Sequence, residues 1–569
     1  MKFLSKNAGQ GVSHFRAAVV LLFTVLNLAV FCLHAISVWR YGALFFGAGG
    51  ASSVIYPVWK AVHHLPVYSW PLQFPFSLAL YNYLFYYTYA AFLKLVGADG
   101  GGIMTWGCVL TPAFALVGAW AQWKLVQTHL NLRGASSALS LFFALGLWFC
   151  ASIIRGYAFA IRPDIAAAAL VMIALWMAVR QSRYSFALAG LFFYFAWSFK
   201  QSVVLALAGL CLFLLLHKRW RNLSVLIAVF AALVAATLLL GTPEYRYNIL
   251  VAPRLVKQFS LIWALQIAPK SLLANSYWLL APIALLLAAG ARKADPAVRL
   301  LLTVFTVALV GGLAGMTKVG AWDQYLFEAF VAGSTLLQMA VFTAPGKLVN
   351  ALMLFACVQP AVQAATVPSG AHPHAFGTVG IATAAEYAEA AALGDRLALM
   401  KKPIFTTNEV FSLPWFSNDN RYPALVIDTI FHDATRASCS NGCVEGMLQR
   451  GEIPTVMLPS VKAPSSPHVP PSGSPRRPAL ARTRPKSNWV ARKINLLKRL
   501  LKGGRHQDQL YPGATSDSIY QNSLNPNYKK VGEYPYSGRM WSLYVIEPAA
   551  QALTRSPDST PDLKPDSKP

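Results

Sequence analysis

The sequence predicts a polytopic α-helical membrane protein with a small α/β unit toward its C-terminal end. Three observations carry this reading. Of 569 residues 56% are hydrophobic and only 12% charged, with a mean hydropathy of +0.45, a composition that cannot clothe a water-facing surface. Apolar stretches near the roughly 20 residues a spanning helix needs recur before residue 365. Beyond about residue 366 charges appear and the apolar runs shorten to strand length.

About eleven transmembrane helices are expected, over 17–38, 103–123, 138–154, 165–179, 186–197, 203–216, 225–240, 273–289, 300–316, 329–342 and 348–364. Segment 81–94 is a twelfth candidate, but Tyr81, Tyr83, Tyr86, Tyr87 and Tyr89 favour the membrane interface. It is expected to lie along the surface. The basic connections 127–133, 180–183, 217–221 and 292–299 then share the cytoplasmic side with Lys2 and Lys6, as positive charge in short loops dictates. On that topology 39–102 is one external loop with an interfacial helix near 81–94, and the connections at 155–164, 199–201, 241–270 and 318–328 are external too. The expected location is the inner (cytoplasmic) membrane, multi-pass, with a cytoplasmic N-terminus and a periplasmic C-terminal unit. The lead 1–16 reads as a basic entry into the first span, since no small-residue cleavage site closes the apolar run.

The C-terminal unit, 366–458, is expected to hold strands at 403–407, 424–428 and 453–458 and a helix at 384–400. A Pro/Ser/basic insertion follows over 459–487, too poor in apolar residues to offset its ordering entropy. Within 488–548, Val490, Ile494, Leu497 and Leu501 recur at helical spacing opposite Arg492, Lys493, Lys498, Arg499 and Lys502, suited to an anionic membrane surface or to packing on the α/β unit. A returning strand is expected at 539–546 and a disordered tail over 549–569.

The net charge of +27 sits largely in cytoplasmic connections and this basic segment, so it orients helices rather than binding nucleic acid. Cys32, Cys108, Cys150, Cys211 and Cys357 lie within expected spans as small packing residues. Cys439 and Cys443, four apart, are either a local disulfide or two free thiols.

Ionisable residues at the ends of apolar helices are the candidates for function, because a charge at a membrane boundary needs water, a counter-ion or a ligand. They form three strings: Arg162-Pro163-Asp164, Lys200-Gln201, and the run from Lys318 through Asp323, Tyr325 and Glu328. All three are expected on the external side. Arg162, Lys200 and Lys318 suit a phosphate, while Asp164, Asp323 and Glu328 suit sugar hydroxyls or proton transfer. Arg162 and Asp164 are equally able to pair with each other, and the two lysines to snorkel.

The order of these strings along the chain resembles the polytopic GT-C glycosyltransferases, which include the protein mannosyltransferases and the bacterial aminoarabinose and lipopolysaccharide-core transferases. The likeness covers roughly residues 15–365 and includes the first-loop run from Trp59 to Tyr68. It implies a GT-C transmembrane domain over 1–365 that moves a sugar from a polyprenyl-phosphate donor to an envelope glycan, lipid or protein acceptor, without nucleotide. In that frame Arg162, Lys200 and Lys318 would hold the donor phosphate, and Gln201, Asp323, Tyr325 and Glu328 would line the sugar cavity. No metal site is assigned, and a divalent cation is left open.

The resemblance also implies an Asp or Glu early in the first external loop as base. Here no Asp or Glu precedes Asp99. Asp164 or Glu244 takes over as base, or His63 or His64 does so, or transfer has been lost and the protein only binds lipid-linked sugar. A transporter or lipid flippase using the same charged cavity is the reading from another class; an internal repeat, which many transporters show, is not evident in the sequence.

Overall fold

In a computed structural model of the chain, the structure describes residues 13–41, 51–70, 79–99, 102–149, 157–180, 182–255, 259–274, 278–280, 282, 295–318, 321, 323–343, 347–365, 383–401, 404–407, 424–427, 443–460, 522, 524–536 and 539–546. The span expected at 273–289 lies mostly outside them. So do Cys439, most of 459–487, the basic segment 490–502 and the tail.

The N-terminal part is helical. α1 (His14–Tyr41) is followed by α2 (Ala51–Val62), α3 (Tyr83–Leu95), α4 (Gly102–Leu130), α5 (Gly134–Trp148), α6 (Asp164–Arg180), α7 (Ser185–Phe199), α8 (Leu205–Leu216) and α9 (Trp220–Leu240). Then come α10 (Leu261–Ala274), α11 (Pro296–Gly315), α12 (Phe327–Thr343) and α13 (Lys347–Ala365). Among the described residues five segments are long and apolar enough to cross a membrane: His14–Tyr41, Thr105–Leu130, Trp220–Leu240, Pro296–Gly315 and Gln324–Thr343. α3, with 13 residues, is about 20 Å long and falls short of a hydrocarbon core of about 30 Å.

Two helices show what the apolar sequence is for. Only Leu226 of α9 is buried, so nearly the whole surface of that helix is left for lipid. Every residue of α12 is buried, and the other helices surround it. α12 carries Ser334, Thr335 and Gln338, which need internal partners where water is absent. Gln338 donates to the Ser140 carbonyl and hydroxyl of α5 at 2.7 and 2.8 Å, and accepts from Gln122 of α4 at 2.8 Å. The other end of the Gln122 amide accepts from the Trp148 indole at 2.8 Å and the Ser334 hydroxyl at 3.1 Å. This closed network ties α4, α5 and α12 together. The same α4–α5 contact requires Gly118, because a Cβ there would stand 2.3 Å from the Trp148 ring.

Two parts of the chain differ from the sequence reading. The segment 39–102, expected as one external loop, holds a second helix, α2, which Pro57 in its middle and a Gly/Ala/Ser-rich lead conceal from periodicity. The connection 241–270 is also helical. Short helical turns at Pro243–Arg246 and Ala252–Leu255 flank a π-helical stretch, Tyr247–Val251, and α10 follows.

Toward the C-terminus, α14 (Ala384–Ala398) begins in a capping box, with Thr383 and Glu386 each bonding the other's backbone N–H. A five-stranded sheet follows in the order β2-β1-β3-β5-β4, from β1 (Ile404–Thr407), β2 (Ala424–Ile427), β3 (Thr455–Pro459), β4 (Tyr528–Tyr536) and β5 (Arg539–Ile546), with α15 (Cys443–Arg450) before β3. β2, β1 and β3 run parallel, and β5 and β4 are antiparallel. β4 has no counterpart in the sequence reading. Its Gly532 and Pro535 argue against a central strand, and the structure resolves this by placing it at the sheet edge with an irregularity between Lys530 and Gly532.

The buried network makes a prediction. Gln122→Leu removes three hydrogen bonds and leaves the Trp148 indole unpaired, so it should cost roughly 2 kcal/mol, read as a lower midpoint in thermal unfolding of the detergent-solubilised protein. An unchanged midpoint would mean that the network contributes nothing to holding the bundle.

Candidate functional site

Helix lengths bring two of the three charged strings together. α6 runs 17 residues away from Asp164, and α7 returns over 15 after a short turn. At 1.5 Å per residue these are paths of about 25 and 22 Å, so Lys200 comes back to the level of Asp164. Each residue also suits its helix end. Asp164 opens α6, where the dipole favours a negative charge, and Lys200 is the C-cap of α7, where it favours a positive one.

The resulting cluster is buried. Asp164 Oδ1 accepts from Lys200 Nζ at 2.5 Å, and Oδ2 accepts from Arg162 Nε at 3.0 Å. Arg162 lies over the Tyr157 ring, 4.9 Å from its centroid, and donates from Nη2 to the Tyr81 hydroxyl at 3.2 Å. The Arg162 carbonyl accepts from Tyr89 of α3. Two cations on one carboxylate leave these three groups formally one positive charge in excess, before the Glu328 carboxyl group on the same side of Lys200 is counted. Lys200 and Arg162 also keep N–H donors beyond those Asp164 uses.

The loop before α3 is clamped so that Tyr81 meets Arg162. Gln201 donates to the Leu80 carbonyl at 2.6 Å, Tyr68 to the Tyr81 carbonyl at 2.9 Å, and the Tyr81 N–H to Tyr86. Asn82 joins α3 to α7 by donating to the Trp197 carbonyl at 2.6 Å, while it accepts from Tyr245. Gln201 thus spends its amide N–H on the loop backbone, while its Oε1 is buried without a partner among the described residues.

The third string arrives from α11 through a 3-10 turn, Asp323–Leu326. Gly312 and Gly315 of α11 make room for it, since a Cβ at either would stand 2.5 Å from Tyr325. The Tyr325 ring then lies 5.8 Å from Lys200 Nζ, and Gln324 accepts from the Tyr157 hydroxyl at 2.7 Å. Glu328 is turned to a different task. Its carboxylate accepts from the Ala206 N–H at 2.7 Å and so satisfies the open N-terminus of α8. Residues 319–320, Trp322 and the Asp323 side chain are outside the described residues.

Lys318 stands apart from this cluster. Its backbone pairs with Phe259, and the preceding Thr317 carbonyl accepts from Ser260 ahead of α10. Burial lowers the pKa of its ammonium. A small cavity of about 20 Å³ adjoins Asp164, Lys200, Ser202, Gln324, Tyr325 and Glu328. That is room for about one water, so a sugar or phosphate needs it to widen.

The other candidate bases lie outside the cluster. His63 stacks on Trp59 and pairs with Asp99 at 3.4 Å, and His64 accepts from Lys94 at 2.9 Å. Both histidines thus brace α2 against the C-terminal end of α3. Glu244 sits in the helical turn after Thr242, and its pKa is held down by its own backbone N–H and the Thr242 hydroxyl. Among the described residues no bond joins it to Arg162, Asp164 or Lys200. The residues before α2, where the resemblance places an acid, are outside those described. Tyr81 and Tyr157 escaped the sequence reading as site residues. Tyr81 carried only an interfacial signal, and nothing in the sequence near Tyr157 marks a partner for Arg162.

No protein-family model and no curated protein sequence matches the chain. Similar solved structures exist. ArnT from Cupriavidus metallidurans in the apo state superposes with a TM-score of 0.50 at 13% identity, over 76% of this chain and 92% of that one. The same protein bound to undecaprenyl phosphate gives 0.47 at 12%, over 92% and 97%. The apo oligosaccharyltransferase of Archaeoglobus fulgidus gives 0.45 at 10%, over 76% and 69%. At such identity the likeness speaks to architecture alone: this chain has the same overall fold as apo ArnT.

Proposed function

We propose that this protein is a membrane glycosyltransferase that takes a sugar from a polyprenyl-phosphate donor at the non-cytoplasmic face and passes it to an envelope acceptor. The observation that carries the reading is the pair of buried cations, Arg162 and Lys200, on Asp164 at one end of a bundle with the GT-C fold. Two buried cations side by side on one carboxylate are suited to a phosphate. The fold supports sugar transfer as the reaction class.

In this mechanism the donor phosphate widens the small cavity between the 200–204 turn and Tyr325 and binds Lys200 and Arg162. Asp164 holds both cations at fixed distance beforehand, so little reorganisation is needed when the phosphate becomes the leaving group. Tyr81 and Tyr157 orient the Arg162 guanidinium. Lys318 meets the same lipid phosphate from the α10 side as the site opens. The acceptor hydroxyl attacks the anomeric carbon, and its proton passes to an external base. Asp164 has both oxygens occupied by cations, so proton transfer falls better to another group, with Glu244, His63 and His64 the remaining candidates.

A second reading, a protein that binds lipid-linked sugar without transfer, rests on the absence of any Asp or Glu before Asp99. Membranes containing the protein, supplied with polyprenyl-phosphate sugars, decide between the two. Transferred sugar supports the first reading, and saturable donor binding without product supports the second.

Removing one donor to a developing anion costs on the order of 10²–10³ in rate, so Lys200→Met and Arg162→Gln should each lower transfer by about that factor. Wild-type rates in either variant would remove the phosphate from this cluster. Asp164→Asn strands two buried cations, and one such broken pair costs about 3–5 kcal/mol; its thermal midpoint should fall well below that of Lys200→Met, which leaves one pair intact. The depressed Lys318 pKa predicts weaker donor binding as pH rises through a value below the ordinary 10.5 of lysine, because the ammonium loses its charge there. Lys318→Arg should move this alkaline limb upward in a binding titration, and an unmoved limb would exclude Lys318 from donor contact.

A further inference from the structure

A larger cavity than the one at the charged cluster lies elsewhere in the bundle. It is a groove of roughly 550 Å³ between α1 and α4, walled by Phe31 and Ala35 of α1, Cys108 and Pro112 of α4, and Phe159. Pro112 cannot donate to the Cys108 carbonyl one turn earlier, so α4, though continuous, lacks one backbone hydrogen bond where it forms the wall. The lining is apolar except at one end, where Arg40 closes the last turn of α1. Trp39 beside it is 61% exposed and meets Trp106 edge to face at 5.6 Å. No ion pair or hydrogen bond to another described residue is recorded for the Arg40 guanidinium.

These features fit together as one amphiphile site. Ile36 and Leu33 on the same helix are exposed, so the groove opens on the side that faces lipid. A cavity of this volume is within the range of ligand pockets and is too apolar to be held by water. Tryptophan pairs mark the headgroup level, and basic residues between helix ends bind lipid phosphates. On the proposed topology Arg40 stands at the external end of α1, where the positive-inside tendency supplies no reason for a cation. Its charge complements an anionic headgroup, and the walls complement a hydrocarbon chain.

We infer that the α1–α4 groove binds one anionic glycerophospholipid of the bilayer, with an acyl chain along Phe31, Ala35 and Phe159 and its headgroup phosphate on Arg40. The site is separate from the phosphate cluster, since none of its lining residues belongs to that cluster. Phe159 nevertheless lies three residues before Arg162, and Ile161 between them packs on α4 at Gly107, where a Cβ would stand 2.4 Å from it. An occupied groove therefore supports the segment that carries Arg162. The inference holds whether or not the protein transfers sugar.

The test uses the full chain in nanodiscs of phosphatidylcholine and phosphatidylglycerol, extracted into detergent, washed, and assayed for retained lipid by mass spectrometry. Wild type should keep phosphatidylglycerol near one molecule per chain, and Arg40→Glu and Ala35→Trp should each reduce it roughly tenfold, the value of one lost phosphate contact or a blocked groove. Arg40 is exposed at a helix end, so its variant reports on binding even if the tryptophan disturbs folding. Equal retention by wild type and Arg40→Glu, or no preference over phosphatidylcholine, would overturn the inference. Displacement of the phospholipid by equimolar polyprenyl phosphate would also overturn it, by assigning the groove to the sugar donor.

Discussion

A single carboxylate held by two cations sets the terms for this structure. Asp164 is buried, and a lone charge in that position would cost several kcal/mol. Arg162 and Lys200 meet that cost, but only if the start of α6 and the end of α7 stand at the same height. The hairpin of α6 and α7 does this through matched lengths. The loop before α3 then has to bring Tyr81 to Arg162, which Gln201, Tyr68 and Tyr86 arrange from three directions. Tyr325 comes to Lys200 only because Gly312 and Gly315 leave the space.

The interior holds a second polar system that shows the contrast between scaffold and site. Gln122, Gln338, Ser140, Ser334 and Trp148 form a network of neutral groups with short, mutual bonds and no excess charge. Such a network holds helices in register. The Arg162–Asp164–Lys200 cluster instead sets two cations on one carboxylate, where a purely structural ion pair needs only one. Glu328 belongs to both scaffold and site, since its carboxylate satisfies the N-terminus of α8 and also adjoins the small cavity beside Lys200.

Much of the candidate site was legible because membrane boundaries make charges conspicuous. Arg162, Asp164, Lys200, Lys318 and Glu328 stand out from apolar flanks, and the helix ends at Asp164 and Lys200 follow from hydropathy within a residue or two. What escaped were aromatic and backbone partners. Tyr157 and Tyr81 resemble any other interfacial aromatic in sequence, yet they are the groups that orient Arg162. The histidines are a related case. His63 and His64 stand out as candidate bases in a one-dimensional reading, and only the structure shows Asp99 and Lys94 as their partners.

The sequence by itself determined the helical membrane class, most helix positions and which ionisable residues lie at helix ends, because hydropathy and charge act locally and are written residue by residue. Tertiary structure decided the rest. It alone selected Asp164 as the partner of both Arg162 and Lys200, set Lys318 beside α10 instead, placed Glu328 at the N-terminus of α8, formed α2 around Pro57 and sent β4 to a sheet edge. The reason is physical. Each of these outcomes depends on distances between segments far apart in the chain, and those distances follow from packing, from glycines at Gly312 and Gly315 as much as from the charges themselves.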